Sequence, residues 1–142
     1  MPQQLQSMEI QAFSTGFVTT LGHAGLTMVL LLFGAFLYVM LTPHREIALI
    51  RDGNSAAALS LGGVLVGLAL PLASSLSASV SPLEIAIWGV ATIGVQLLVF
   101  KAIDLILHGL PQRIQDGEIS AALLLVGAKL ASALILAAAL AG

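Results

Sequence analysis

The sequence predicts an all-α, polytopic membrane protein: four transmembrane helices built as a tandem, parallel repeat of a two-helix hairpin. Three observations carry the prediction. Of 142 residues, 58% are hydrophobic and 8% are charged, against roughly a quarter charged in a soluble domain, which leaves too few ionisable side chains to wet a surface of this size. The apolar residues fall in four long, nearly uncharged runs, and mean hydropathy is +1.06. A shift of 64 residues lays the first half of the chain on the second. A small soluble globule is thereby excluded.

Residues 1–16 read as an external N-terminal segment. Ile10, Phe13 and Phe17 recur at helical spacing among Gln, Ser and Glu, the pattern of an amphipathic turn or two lying at the membrane interface. Met1 to Thr20 contains no Lys or Arg, so the segment has little attraction for anionic lipid, and the run that follows lacks the basic n-region of a cleaved signal peptide.

The first hairpin occupies 17–76, with spans at 17–41 and 55–76; the second occupies 83–142, with spans at 83–107 and 119–141. Each span has 22 to 25 residues, and about 20 residues at 1.5 Å rise cross a hydrocarbon core of about 30 Å. The third is bracketed by Glu84 at one end and Lys101 and Asp104 at the other, charges close enough to the headgroups to snorkel. Arg45 and Arg51 lie in the first hairpin bend, Lys101 and Arg113 flank the second, and the opposite side has no basic residue. That bias predicts cytoplasmic bends and external termini.

The 64-residue shift sets Phe36 on Phe100, His44 on His108, Asp52-Gly53 on Asp116-Gly117 and Gly63 on Gly127. Two spans per unit give the copies one orientation. Each bend carries a proline (Pro43, Pro111), apolar residues spaced for a short interfacial helix (Ile47 and Ile50; Leu110 and Ile114), then Asp-Gly and a capping residue, Asn54 or Glu118. Proline suits a first helical turn, glycine the reversal, and the polar residue the N-terminus of the next helix. Structural punctuation accounts for this loop motif of Pro43, His44, Gly53 and Asn54. The paired histidines His44 and His108 could act as a pH-sensitive pair, although lone loop histidines are more often bystanders.

Within the lipid, Gly63 and Gly67 form a small-xxx-small pair that lets a neighbour approach. Pro71 removes the hydrogen bond to the Gly67 carbonyl, so a bend is expected there, with Ser74 and Ser75 at hand for the freed groups. Lys129 is the residue that most needs explaining. It lies 11 residues beyond Glu118, about 16 Å deep, where a lysine costs roughly 3 kcal/mol on insertion scales. Gln96 has the same nominal depth on the third span and is its expected partner. Lys129 and Gln96 thus define a candidate intramembrane polar site. An ion or substrate path and a snorkelling side chain both remain open.

Several classes drop out. A net charge of −2 with five dispersed basic residues argues against nucleic acid as a partner. The absence of cysteine removes disulfides and thiolate chemistry. No phosphate loop, metal-spaced cluster or nucleophile set is present, so neither enzyme activity nor a cofactor or metal is expected.

The run Thr42-Pro43-His44, Leu49-Ile50, Gly53-Asn54, Ala56-Ala57-Ala58, Gly63, Gly67 and Pro71-Leu72-Ala73-Ser74 resembles the YjfL family of small bacterial inner-membrane proteins, a family of unknown function. Trp88-Gly89, Ala91 and Gln96 to Phe100 continue the likeness, which spans about residues 20–140. The chain departs from the pattern near its end, where the family has an Asn before two alanines and this sequence has Leu136; Lys129 lies outside the pattern. The resemblance implies a multi-pass inner-membrane protein made from a duplicated hairpin and associated with membrane-stress gene groups. Helices this rich in Ala, Gly and Ser complete their burial by self-association. The expected function is therefore that of a homo-oligomeric component of envelope integrity or stress response, in contact with the bilayer and envelope-stress proteins. The alternative is a small transporter or channel with a polar path between the repeats.

Overall fold

A computed structural model describes residues 1–42 and 45–142. Pro43 and His44, two members of the loop motif, lie outside the described residues. Among the described residues six helices follow in order: α1 (Pro2–Leu41), α2 (Glu46–Arg51), α3 (Ser55–Ala78), α4 (Pro82–Ile106), α5 (Leu110–Gln115) and α6 (Ile119–Ala141). No strand occurs among the described residues. α1, α3, α4 and α6 are each long and apolar enough to cross a membrane, and α2 and α5 sit in the two bends, where the short interfacial helices were expected.

Local signals set these boundaries. The Asn54 side-chain oxygen accepts from the Ala57 N–H at 3.0 Å and starts α3. Ser81 does the same for the Glu84 N–H at the head of α4, and Pro82 opens the first turn. Both are the side-chain caps that leave a helix N-terminus satisfied. α2 and α5 end alike. Gly53 and Gly117 adopt φ of 88° and 86°, which glycine reaches without a Cβ penalty. Gly53 and Asn54 donate to the Ile50 and Leu49 carbonyls, and Gly117 and Glu118 to those of Ile114 and Arg113. These are the same bonds displaced by 64 residues. Glu118, expected to cap α6, makes no side-chain cap; it pairs with Arg113 at 2.6 Å instead.

One expectation is corrected at the N-terminus. No boundary falls at 16/17: residues 2–16 continue into the first span as one 40-residue helix. At 1.5 Å per residue it is about 60 Å long, roughly twice a hydrocarbon core. Its polar residues do not break it, because Ser7, Ser14, Thr15 and Thr19 return their hydroxyls to carbonyls three or four residues back. Every residue from 1 to 22 is exposed. Only from about Ala24 onward does α1 meet the bundle, near Leu72 and Leu76 of α3.

α3 is the central helix and packs against α1, α4 and α6, most extensively against α6. Lipid tails are as apolar as leucine, so helices here associate by close packing. Small residues allow it: Ala56 and Ala57 of α3 meet Ala121, Ala122 and Leu125 of α6 in one buried cluster. Tyr38, Val64, Leu68 and Phe100 form a second cluster where α1, α3 and α4 converge. Gly63 and Gly67 admit side chains from the neighbouring helices. A Cβ on Gly63 would stand 2.6 Å from Val126 Cγ2, and one on Gly67 2.7 Å from Phe100 Cζ. Because the Val126 Cβ is only 3.0 Å from the same point, rotation of that side chain gives no relief. Gly63→Ala should lower stability by about 1–3 kcal/mol, the usual cost of overpacking. Gly94→Ala, with nothing within 4 Å of its Cβ, should be close to neutral; unfolding of the two variants in detergent checks the contrast.

Candidate functional site

Lys129 on α6 has a side chain only 1% exposed. Its Nζ lies 3.0 Å from Asp104 Oδ1 of α4 and donates to Tyr38 Oη of α1 at 2.8 Å. The ammonium also stands 4.8 Å from the Tyr38 ring centroid and 5.4 Å from that of Phe100, within cation–π range. Those two rings meet edge to face at 6.2 Å, and the Thr42 hydroxyl donates to the Tyr38 carbonyl. One ammonium on α6 thus draws on two further transmembrane helices, α1 and α4.

The expected pairing of Lys129 with Gln96 is replaced by Lys129 with Asp104 and Tyr38. Matching depths by Cα neglects the lean of long helical side chains toward the N-terminus of their own helix. For Lys129 that direction is the bend end of the bundle. Asp104, on the antiparallel α4, leans inward from that same end. Gln96, fully buried, bonds elsewhere, its Nε2 donating to the Gly67 carbonyl at 3.2 Å. That carbonyl is the one Pro71 cannot bond. The freed group is therefore met from α4, and Ser75, expected to help, keeps a buried hydroxyl without a partner among the described residues.

Glu46, at the start of α2, completes the site. It is 3% exposed, and its Oε2 has no hydrogen-bond partner among the described residues. Burial pushes its carboxyl up to about 7; the Lys129 charge pulls the other way, and Asp104 adds to the rise. Two small cavities adjoin the cluster. One of about 20 Å³ is walled by Tyr38, Thr42, Leu97, Lys101 and Asp104. The other, of about 10 Å³, is walled by Tyr38, Thr42, Glu46, Ser60 and Asp104, with apolar residues behind. Each has room for about one water molecule.

Of the loop motif, Asn54 has a second part to play. Its Nδ2 donates to the carbonyls of Ile114 and Gln115 at 3.0 and 3.1 Å, tying the first bend to the second. Glu118, 64 residues on, is a carboxylate with no N–H to return the tie. Gly53 supplies the turn described above, and His108 is exposed. Tyr38, Glu46 and Asp104 are the members that sequence reasoning missed. Asp104 has a legible signal, since Gln96, Phe100 and Asp104 share one face at four-residue spacing. Glu46, beside Arg45 in a bend, gives none. Among the described residues no group of three His, Cys, Asp or Glu side chains is placed to hold a metal.

Four apolar helices packed through glycine and alanine, with Lys129 of one paired to Asp104 of another, define a multi-pass integral membrane protein. Residues 12–140 match the family model described as Domain of Unknown Function (DUF350), and the chain belongs to that family. It is 34% identical over 114 residues to the inner membrane protein YjfL of Escherichia coli (strain K12), covering 80% of this chain and 85% of that one. The YjfL protein of Escherichia coli O157:H7 matches to the same extent. No solved structure matches. Relatives and apolar helices together make this a multi-pass protein of the inner membrane.

Removing one partner of a buried ion pair leaves the other charge stranded, a loss of about 3–5 kcal/mol, whereas replacing both by apolar groups is often neutral. Asp104→Leu and Lys129→Met should each be strongly destabilising in thermal unfolding, and the double variant should recover most of the loss. Gln96→Leu should cost about 1–3 kcal/mol by orphaning the Gly67 carbonyl. Combined with Pro71→Ala, which restores an N–H for that carbonyl, the penalty should shrink, a coupling that a double-mutant cycle reads directly.

Proposed function

We propose that this protein is a homo-oligomeric component of the inner membrane that serves envelope integrity or the membrane-stress response, acting through assembly and contact with lipid and envelope proteins rather than by catalysis. The long first helix carries this reading. Its N-terminal half leaves the bundle with Leu5, Met8, Ile10, Phe13 and Phe17 exposed, a surface larger than one subunit covers. Phe13 and Phe17 stack at 5.4 Å, which gives a neighbouring helix a rigid aromatic ridge to pack against. The basic residues in the bends support cytoplasmic bends and external termini. The matching hydrogen bonds at the ends of α2 and α5 support an origin by duplication of one hairpin.

A second reading, a small transporter or channel, draws on the buried charges around Lys129. Such groups in membrane proteins commonly mark ion or proton routes. Cavities of about 20 and 10 Å³ suit water or a proton better than a solute.

The chain has no cysteine, so Phe13→Cys gives a background-free probe. In native membranes it should form a disulfide-linked dimer on mild oxidation, and truncation of residues 2–16 should lower the mass of the detergent-solubilised assembly. A chain that remains monomeric in both measurements, with selective, Lys129-dependent flux in proteoliposomes, overturns the assembly reading in favour of transport.

A further inference from the structure

We propose that Tyr38, Glu46, Asp104 and Lys129 form a proton-binding site that opens to the bend side of the membrane, with Glu46 as the group that takes up and releases the proton. Charge balance is what singles out Glu46. Lys129 and Asp104 neutralise each other at 3.0 Å. Glu46 adds a second carboxylate that is almost fully buried and walls the same cavity as Asp104 and Tyr38. Ionised, it leaves a net negative charge in a nearly dry place, with Oε2 unpartnered among the described residues. Protonated, it leaves the cluster neutral and gains a donor. A buried carboxyl with one ammonium already committed to another carboxylate therefore holds its proton to higher pH than a free one, in keeping with the value of about 7.

The surroundings add no competing titratable group among the described residues. α1 turns Tyr38 toward Glu46, α4 Asp104 and α6 Lys129; α3 contributes the Ser60 hydroxyl, and α5 only Pro111 and Ile114. Arg113 is engaged with Glu118, and Arg45 and Arg51 are exposed.

Access follows from the cavities. Both are walled by Tyr38, Thr42 and Asp104, and the larger also by Lys101, which is exposed. Tyr38 Oη accepts from the ammonium and shares the wall of the smaller cavity with Glu46 and Asp104. The exchange is Glu46 carboxylic acid giving a proton to cavity water and becoming carboxylate, and the reverse. Release then offers Lys129 two carboxylates in place of one, which links proton occupancy to the contact between α2 and the bundle.

Infrared difference spectroscopy of the purified full-length protein in lipid nanodiscs, stepped from about pH 8 to about pH 5, tests this. The wild type should gain a protonated-carboxyl C=O band with a midpoint near neutrality, well above the usual glutamate value of about 4.3. Glu46→Gln should abolish the band, Glu118→Gln should keep it, Glu46→Asp should keep a displaced band, and Lys129→Met should raise the midpoint by a unit or more. A wild type with no carboxyl band titrating between about pH 6 and 8 overturns the proposal whether or not any variant folds. A band unchanged in Glu46→Gln or Glu46→Asp overturns it too. The readout is independent of oligomeric state and of flux, so its failure is distinct from failure of the functional reading.

Discussion

A lysine ammonium held in the membrane bundle must find its counter-charge within the protein, and the convergence of helices at the bend end answers that demand. Lys129 draws Asp104 from α4 and the Tyr38 hydroxyl and ring from α1. Two apolar helices in lipid have no hydrophobic drive to associate. A polar contact of this kind fixes which faces meet and at what register. α1 has few buried residues, namely Leu30, Gly34 and Tyr38. The last of these is the lysine's partner.

The small residues of α3 make that convergence sterically possible. Phe100 reaches the cluster only because Gly67 leaves a slot for its ring edge, and the ring then forms one wall of the ammonium's environment. The same glycine offers its carbonyl to Gln96 because Pro71 cannot use it. Packing and polar satisfaction are thus coupled at one turn of α3. A larger residue at 67 would displace Phe100 and with it the aromatic face against which Lys129 rests. The bend expected at this turn need not be a gate, since its freed carbonyl is already met.

The four spans were legible because their signal is one-dimensional: charge-free length and the caps and glycines that end it. Asn54, Gly53 and Gly117 could be assigned their local duties from the sequence because those duties depend only on near neighbours. The site was legible only as far as Lys129. Its partners were not, because Gln96 and Asp104 differ by two helical turns, a difference that side-chain direction erases and Cα depth does not. Glu46 lies in a bend that sequence patterns assign to the aqueous boundary, and its burial depends on chain segments distant in sequence, among them Ser60, Asp104 and Ile114, that wall the same cavity. The length of the N-terminal helix was not legible for another reason: the hydroxyls of Ser7, Ser14, Thr15 and Thr19 bond back to its own carbonyls, so the helix runs unbroken through a polar stretch.

The two bends share their turns, but the charged cluster has no second copy under the same shift. Under the 64-residue shift the turn glycines coincide in place, φ and hydrogen bonds. The charged cluster does not repeat: Tyr38 falls on Ala102, Glu46 on Leu110, Asp104 on Met40 and Lys129 on Leu65. Each member comes from a position whose counterpart is apolar, so the chain holds one cluster rather than two. Asn54 and Glu118 break the match in the same way, one tying the bends together and the other turning to Arg113. An apolar frame tolerates such divergence because Ala, Leu and Met at the counterpart positions only need to fill space. A buried ammonium tolerates none, because its partners must arrive together or the charge stands alone. The charged members are therefore confined to one cluster, and it stands at one end of the bundle only.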